Sequence, residues 1–261
     1  MIQLPTTKTE PVLDSRRLRL LIYGPPKIGK STFCAGMPDA VFAATEPGLD
    51  SLSVYQVPIA TWEEFLDFAK QIAAGGHPFR TIIIDTIDRL YRYCETYVCN
   101  SLNITIPEDQ GYGVGRGKVN AEFFRVLDKL TSLPYGVVFT AHAITKEVST
   151  PAGKTDRTVP TLPDKVSQYL TAMVSVIGFA SVRPVMQPDG TTKRERVLST
   201  KPHTDFDAGD RTGRLPETLP LSWQAFADAL NATVKAPAKA PASVAGQTQA
   251  QRAASSAGGA K

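Results

Sequence analysis

Leu18-Arg19-Leu20-Leu21-Ile22-Tyr23-Gly24-Pro25-Pro26-Lys27-Ile28-Gly29-Lys30-Ser31-Thr32 is the stretch that decides how this chain is read. The apolar run Leu18 to Tyr23 has the character of a buried strand, Gly24 to Ser31 matches G-x-x-x-x-G-K-[ST] without a mismatch, and Ser31 to Ala35 can open a helix. Strand, loop and helix in that order are what a phosphate-binding loop requires. Gly24 and Gly29 let the backbone fold around an anion, so that successive N–H groups and the N-terminus of the next helix face phosphate oxygens. Lys30 would reach the β- and γ-phosphates, Ser31 would put its hydroxyl on Mg²⁺, and Thr32 adds a further hydroxyl. Gly24 to Thr32 are therefore the candidate nucleotide-binding residues, and ATP with Mg²⁺ is the expected ligand pair.

Working outward, 261 residues with 42% hydrophobic and 21% charged side chains suit one α/β domain with a substantial core. The expected organisation is a polar lead-in at 1–16, a folded domain at 17–234 and a tail at 235–261. That tail is almost entirely Ala, Pro, Gln, Ser, Gly and Lys, a composition that cannot bury enough apolar surface to fold, and it is expected to be disordered. It also carries the whole net charge of +4 through Lys235, Lys239, Arg252 and Lys261. With its basic and acidic residues in balance, the folded part offers no global charge argument for nucleic acid. The tail reads as a solubilising extension or as a docking element for a protein partner.

Cys34, Cys94 and Cys99 are odd in number and lack C-x-x-C spacing, which points away from a disulfide framework or a zinc site. The longest apolar run, Met173 to Val182, is too short to span a bilayer, and residues 1–14 lack a signal-peptide pattern. A cytoplasmic protein with no membrane partner is the expectation.

Strands are expected at Leu18–Tyr23, Ala40–Thr45, Thr81–Asp85 and Tyr135–His142, with helices at Thr61–Ala74, Asp88–Val98 and Val119–Leu133 between them. Such alternation implies a mostly parallel central sheet flanked by helices. After residue 143 the pattern changes: Thr145 to Thr161 reads as a mobile loop, Pro163 to Leu170 as a short helix, and Ala172–Val182 with Lys193–Thr200 as a hairpin on the sheet's edge. A last helix is expected at Ser222–Asn231.

Three residues at strand ends carry the chemistry. Asp85 closes a β-branched run, where ligands of open α/β sheets bind, and it has two possible roles: holding Mg²⁺ or capping the following helix. Glu46, just past the second strand, is placed to orient a water against the γ-phosphate and accept its proton; a surface turn acid before Pro47 is the other reading. His142 ends its strand as either a phosphate sensor or a structural histidine.

Lined up in this order, the residues resemble the RecA/RadA core, and more closely the phage-type RecA-like AAA ATPases that include single-strand annealing proteins. The resemblance runs from about Leu18 to Leu215. It rests on Gly24–Thr32, Ala43-Ala44-Thr45-Glu46, Ile82-Ile83-Ile84-Asp85-Thr86 and Val138-Phe139-Thr140-Ala141-His142. It implies a RecA-like fold with an edge hairpin, ATP hydrolysis using Glu46, and single-stranded DNA held by the loops 111–118 and 145–161. Arg116, Lys118, Lys146, Lys154 and Arg157 would then contact phosphates and Tyr112 would stack on a base. It further implies a homo-oligomer in which Lys201 or Arg211 reaches a neighbour's γ-phosphate. The chain departs from bacterial RecA in lacking its N-terminal oligomerisation helix and folded C-terminal domain. Two other readings are an ATP-gated assembly or regulatory module that contacts protein, and a small-molecule kinase; the last finds no Arg-rich lid in the sequence.

Overall fold

The computed structural model describes residues 17–150, 153–186 and 189–232, together with Leu4, Thr6, Thr7 and Asp14. The tail at 235–261 and most of the lead-in lie outside the described residues.

The first five strands in chain order are β1 (Arg19–Gly24), β2 (Ala40–Ala44), β3 (Tyr55–Pro58), β4 (Thr81–Asp85) and β5 (Gly136–Thr150). Further strands are β6 (Gly153–Pro160), β7 (Val176–Met186), β8 (Thr192–Ser199), β9 (Gly209–Asp210) and β10 (Thr218–Pro220). The sheet runs β10-β8-β7-β1-β5-β4-β2-β3, with β6 paired to β5 and β9 to β7. From β7 to β3 every pairing along the path is parallel, so these strands all end at one edge. Register draws the ends level: Gly24 lies opposite His142, and Ala44 opposite Asp85. Strand β5 separates β1 from β4, so the histidine's strand stands between the phosphate loop and Asp85.

Because successive strand residues point to opposite faces, one apolar strand serves two cores. Leu21, Tyr23, Ile82, Ile84, Val137 and Phe139 face helices α2 (Trp62–Ala74), α3 (Ile87–Ser101), α4 (Val114–Ser132) and α5 (Asp164–Met173). Leu20, Ile22, Phe42, Ile83 and Val138 face α1 (Lys30–Ala35) and α6 (Trp223–Asn231) through Phe33 and Phe226. Being covered on both faces explains why β4 reads Thr-Ile-Ile-Ile-Asp without alternation: all five residues are buried. Helix α2 starts where expected, with Thr61 and Glu64 forming a reciprocal capping box.

Two expectations are corrected. Thr145 to Thr161 is not a mobile loop: β5 runs on past the sheet edge and pairs with β6 from Ala143–Pro160 to Thr150–Gly153. The arm looks loop-like in sequence because it is solvated, yet Ile144, Thr145, Val148, Thr155, Thr158 and Val159 are β-branched, which favours the extended backbone. Helix α4 begins five residues early, taking in Gly115 and Gly117 of the expected Gly-rich loop. Gly115 permits this, since a Cβ there would overlap the Pro107 carbonyl of the 3₁₀ turn Pro107–Gln110. The expected β7–β8 hairpin forms at the sheet's edge, where the short β10 pairs only with Val197–Ser199 of β8. Strand β3 was not foreseen: its four residues are exposed and show no burial pattern to read.

Candidate nucleotide site

The phosphate loop leaves β1 hard against β7, where a Cβ on Gly24 would overlap the Ala180 carbonyl oxygen. Lys27 at φ 61° and Gly29 at φ 110° take left-handed backbone, curling the loop. Lys30 is 6% exposed, and its Nζ donates to the carbonyls of Gly24 and Pro25, each at 3.1 Å. Burial pulls the Lys30 ammonium's pKa down, against the upward influence of Asp85, Asp88 and Glu46. Its positive charge is thus held beside the acids rather than in bulk water.

Ser31 Oγ donates to Asp85 Oδ2 at 2.7 Å, and the other carboxylate oxygen accepts from the buried Thr140 hydroxyl. Asp85 therefore does not cap α3; Thr86 occupies that position, after a cis Asp85–Thr86 peptide bond. The Thr86 hydroxyl is buried with no hydrogen-bond partner among the described residues. A serine hydroxyl, a carboxylate and an unsatisfied hydroxyl side by side form an all-oxygen donor set, which fits Mg²⁺, an ion that takes one or two carboxylates and completes its shell with water and phosphate. No group of three His, Cys, Asp or Glu able to hold a metal occurs among the described residues. Such a group is not what Mg²⁺ at a phosphate site needs.

Glu46 is positioned through its neighbour. The Thr45 backbone N–H donates to Asp85 O at 2.9 Å, its hydroxyl donates to Thr86 O at 2.9 Å and accepts from Thr86 N at 2.7 Å. Tyr93 Oη closes the clasp by donating to Thr45 O at 2.9 Å. Glu46 then comes off the end of β2 with Oε1 3.7 Å from His142 Nε2. On the imidazole's other side Asp88 accepts twice: Oδ2 from Nδ1 at 2.9 Å and Oδ1 from the His142 backbone N–H at 3.3 Å. Nδ1–H thereby points at Asp88, and Nε2 faces Glu46.

Asp88 was not singled out from sequence. The signal available was its place in the first turn of α3, three residues after Asp85, which aims it at the same strand edge. A cavity of about 390 Å³ brings together the loop residues Lys27 and Gly29 to Thr32 with Glu46, Asp85, Thr86, His142 and Arg196. A second, of about 490 Å³, shares Glu46 and His142 and opens along α3 past Arg89 and Arg92.

Lys201 and Arg211 lie elsewhere. Strand β8 runs against β7, and Ser199 is already level with Phe179, so the chain beyond it heads away from the phosphate edge. There Lys201 Nζ sits 3.2 Å from Asp210 Oδ2, and Arg211 Nη2 donates to Ala172 O at 2.7 Å. The Asp210 side chain is fully buried and also accepts from Thr212 and from Leu215 N. Burial pushes the Asp210 carboxyl upward, but bonds from Thr212, Leu215 and Lys201 outweigh it and hold the group below its ordinary range. Neither cation lines the phosphate-loop cavity. Arg196, seen in sequence only as a strand residue, does.

The five basic residues expected to meet DNA are partnered within the chain. Arg116 pairs with Glu95 and Glu108, Lys146 with Asp164 at 2.9 Å, Lys154 with Glu147 at 2.6 Å, and Arg157 with Asp207 at 2.7 Å. Lys118 donates to Gln110 at 3.3 Å. Tyr112, by contrast, is fully exposed, in a left-handed turn at φ 44° between Gly111 and Gly113. The three cysteines are buried free thiols. No described helix is long and apolar enough to cross a membrane.

A sheet with the phosphate loop at one strand end, an acid two strands away and a polar residue on the strand between is the arrangement of a P-loop NTPase fold. The chain belongs to the AAA domain family, whose model matches residues 16–212. It is similar to an SPbeta prophage-derived uncharacterized protein, YorG, of Bacillus subtilis (strain 168), at 28% identity over 130 residues, covering 48% of this chain and 40% of that one. The chain thus matches less than half the length of that relative. Among solved structures it is similar to the flagellar accessory protein FlaH from Methanocaldococcus jannaschii, with TM-score 0.41, 11% identity and coverage of 78% of this chain and 84% of that one. It is also similar to a prototypical ATPase from the type III secretion system of pathogenic bacteria, with TM-score 0.42, 13% identity and coverage of 64% and 52%.

Proposed function

We propose that this chain binds ATP with Mg²⁺, hydrolyses it to ADP and phosphate, and couples that cycle to single-stranded DNA in annealing or recombination. The observation that carries the catalytic part is Glu46 facing an imidazole that Asp88 holds, on the edge where Lys30, Ser31 and Asp85 meet. Backbone N–H groups of the loop and Lys30 take up the phosphates, and Ser31 with Asp85 would hold Mg²⁺, which would supply neutralisation of phosphate charge. Glu46 orients a water in line with the γ-phosphorus. As the water oxygen bonds to phosphorus and the bond to the ADP oxygen breaks, Glu46 accepts the water's proton. His142, locked by Asp88, presents Nε2 to the water or the γ-phosphate. An ATPase assay with and without Mg²⁺ tests this part, and no Mg²⁺-dependent phosphate release would overturn it.

The DNA part is supported by the family resemblance, by two hairpin arms rising from the edge that bears the nucleotide site, and by the exposed Tyr112. The prophage origin of the Bacillus subtilis relative agrees with a phage setting and a host cytoplasm. A homo-oligomer belongs to the same proposal: in it Lys201 and Arg211 would have to exchange Asp210 and Ala172 for a neighbour's phosphates. Sedimentation with and without ATP checks it. Stimulation of ATP turnover by single-stranded DNA, and oligonucleotide binding that weakens steeply with salt, are the expected results. Absence of binding at low salt, with or without ATP, sinks the DNA part.

A second reading has an observation of its own: all five expected DNA-contacting cations are already hydrogen-bonded inside the chain. On that reading the module is ATP-gated but contacts protein, with the turn around Tyr112 and the tail as docking elements.

A further inference from the structure

Arg196 stands on β8, opposite Val182 of β7, and it is β7 that packs beside the start of the phosphate loop. Its guanidinium lies against Gly29, so close that a Cβ on that glycine would be 3.1 Å from Nη1. The hydrogen bond it makes, to Ile28 O, is long at 3.5 Å. A guanidinium has five N–H donors in a planar fork shaped for carboxylate or phosphate. Three forks in this fold meet acids, Arg116 with Glu95 and Glu108, Arg125 with Glu122 and Arg157 with Asp207, while Arg19, Arg211 and Arg214 donate to backbone carbonyls at 2.6 to 2.9 Å, shorter than the Arg196 contact. Arg196 shares a cavity with Glu46 and Asp85, yet pairs with neither among the described residues. Those two carboxylates face His142 and Ser31 instead.

We propose that Arg196 is a nucleotide-binding residue acting within its own chain: it clamps the phosphate chain of the bound nucleotide from the β8 side of the loop, across the cavity from Asp85. This rests on the reading of the cavity as an ATP site. It places a cation beside the loop without help from a neighbouring copy. It also ties the base of the β7–β8 arm to the presence of phosphate.

The test is calorimetric titration of the full chain with Mg-ATP and Mg-ADP, for wild type and for Arg196→Ala, Arg196→Lys and Arg196→Gln, with Lys30→Ala as the loop control and thermal unfolding without nucleotide beside each. A charged hydrogen-bonded phosphate contact predicts that Arg196→Ala weakens both nucleotides about 10- to 100-fold. Arg196→Lys should recover part of that and Arg196→Gln little, with the nucleotide-free Tm unchanged. If Gln restores binding and Lys does not, the side chain only props Ile28 and the proposal is wrong. Wild-type affinity in Arg196→Ala, while Lys30→Ala loses binding, also overturns it and leaves the ATP reading standing. If wild type binds neither nucleotide, the ATP reading fails and this proposal falls with it.

Discussion

The phosphate edge and the two regions that would reach a polymer differ less in how many charges they carry than in what those charges touch. At the edge, Lys30 binds only backbone carbonyls of its own loop, and Glu46, Asp85 and His142 line open space. In the regions 111–118 and 145–161, every cation named from sequence has an acid or amide partner. A charge already paired must give up its partner before it can take a ligand. Lys30 has no partner side chain to give up among the described residues, whereas the cations of the two regions do.

The contrast can be broken or sharpened in order of effect. Lys30→Ala removes the edge's principal cation, and ATP turnover should fall to background; measurable turnover would mean that Lys30 is not the phosphate contact. Glu46→Gln should leave ATP affinity within a few-fold and lower turnover by about a hundredfold, the scale of a lost general base. Single-turnover kinetics check it. Asp88→Asn keeps the size of the side chain but weakens its hold on Nδ1; turnover should drop by about tenfold, the scale of a lost partner behind a working group. In a Glu46→Gln background the same change should cost much less, because the two act on one water; full additivity would separate Asp88 from the Glu46 pathway. At the small end, Lys154→Ala should alter stability by less than about 0.5 kcal/mol, since both partners of this ion pair are exposed. If that variant nevertheless flattens the salt dependence of oligonucleotide binding, the pairing is no bar and the loops do contact DNA.

Much of the edge was legible because strand ends in a parallel sheet are written in sequence. A buried β-branched run closed by an acid, Thr81 to Asp85, can be read without knowing what lies beside it, and so can Gly24 to Ser31. Asp88 and Arg196 could not be read so directly. Asp88 matters because α3 starts immediately after β4 and turns it back onto His142, a fact of the connection rather than of residue type. Arg196 depends on an antiparallel register, Val182 opposite Arg196, set by pairing across a turn. Because β8 runs against β7, Lys201 beyond its end lies away from its own chain's phosphate edge, where it pairs with Asp210. The arm at 143–160 was misread because polarity and a glycine are shared by flexible loops and by ribbons solvated on both sides.

Strand β5 carries His142 and then continues without a break to Thr150. The eight residues beyond the histidine span about 26 Å at about 3.3 Å each. A rigid ribbon of that length works as a pointer: a tilt of about 5° at its root swings the tip by about 2 Å. The hydrogen bonds from the His142 backbone N–H and imidazole to Asp88 sit at the root of this ribbon. If His142 moves with the γ-phosphate, as the proposed function has it, a tilt at the root would displace the far end of the ribbon by that amount.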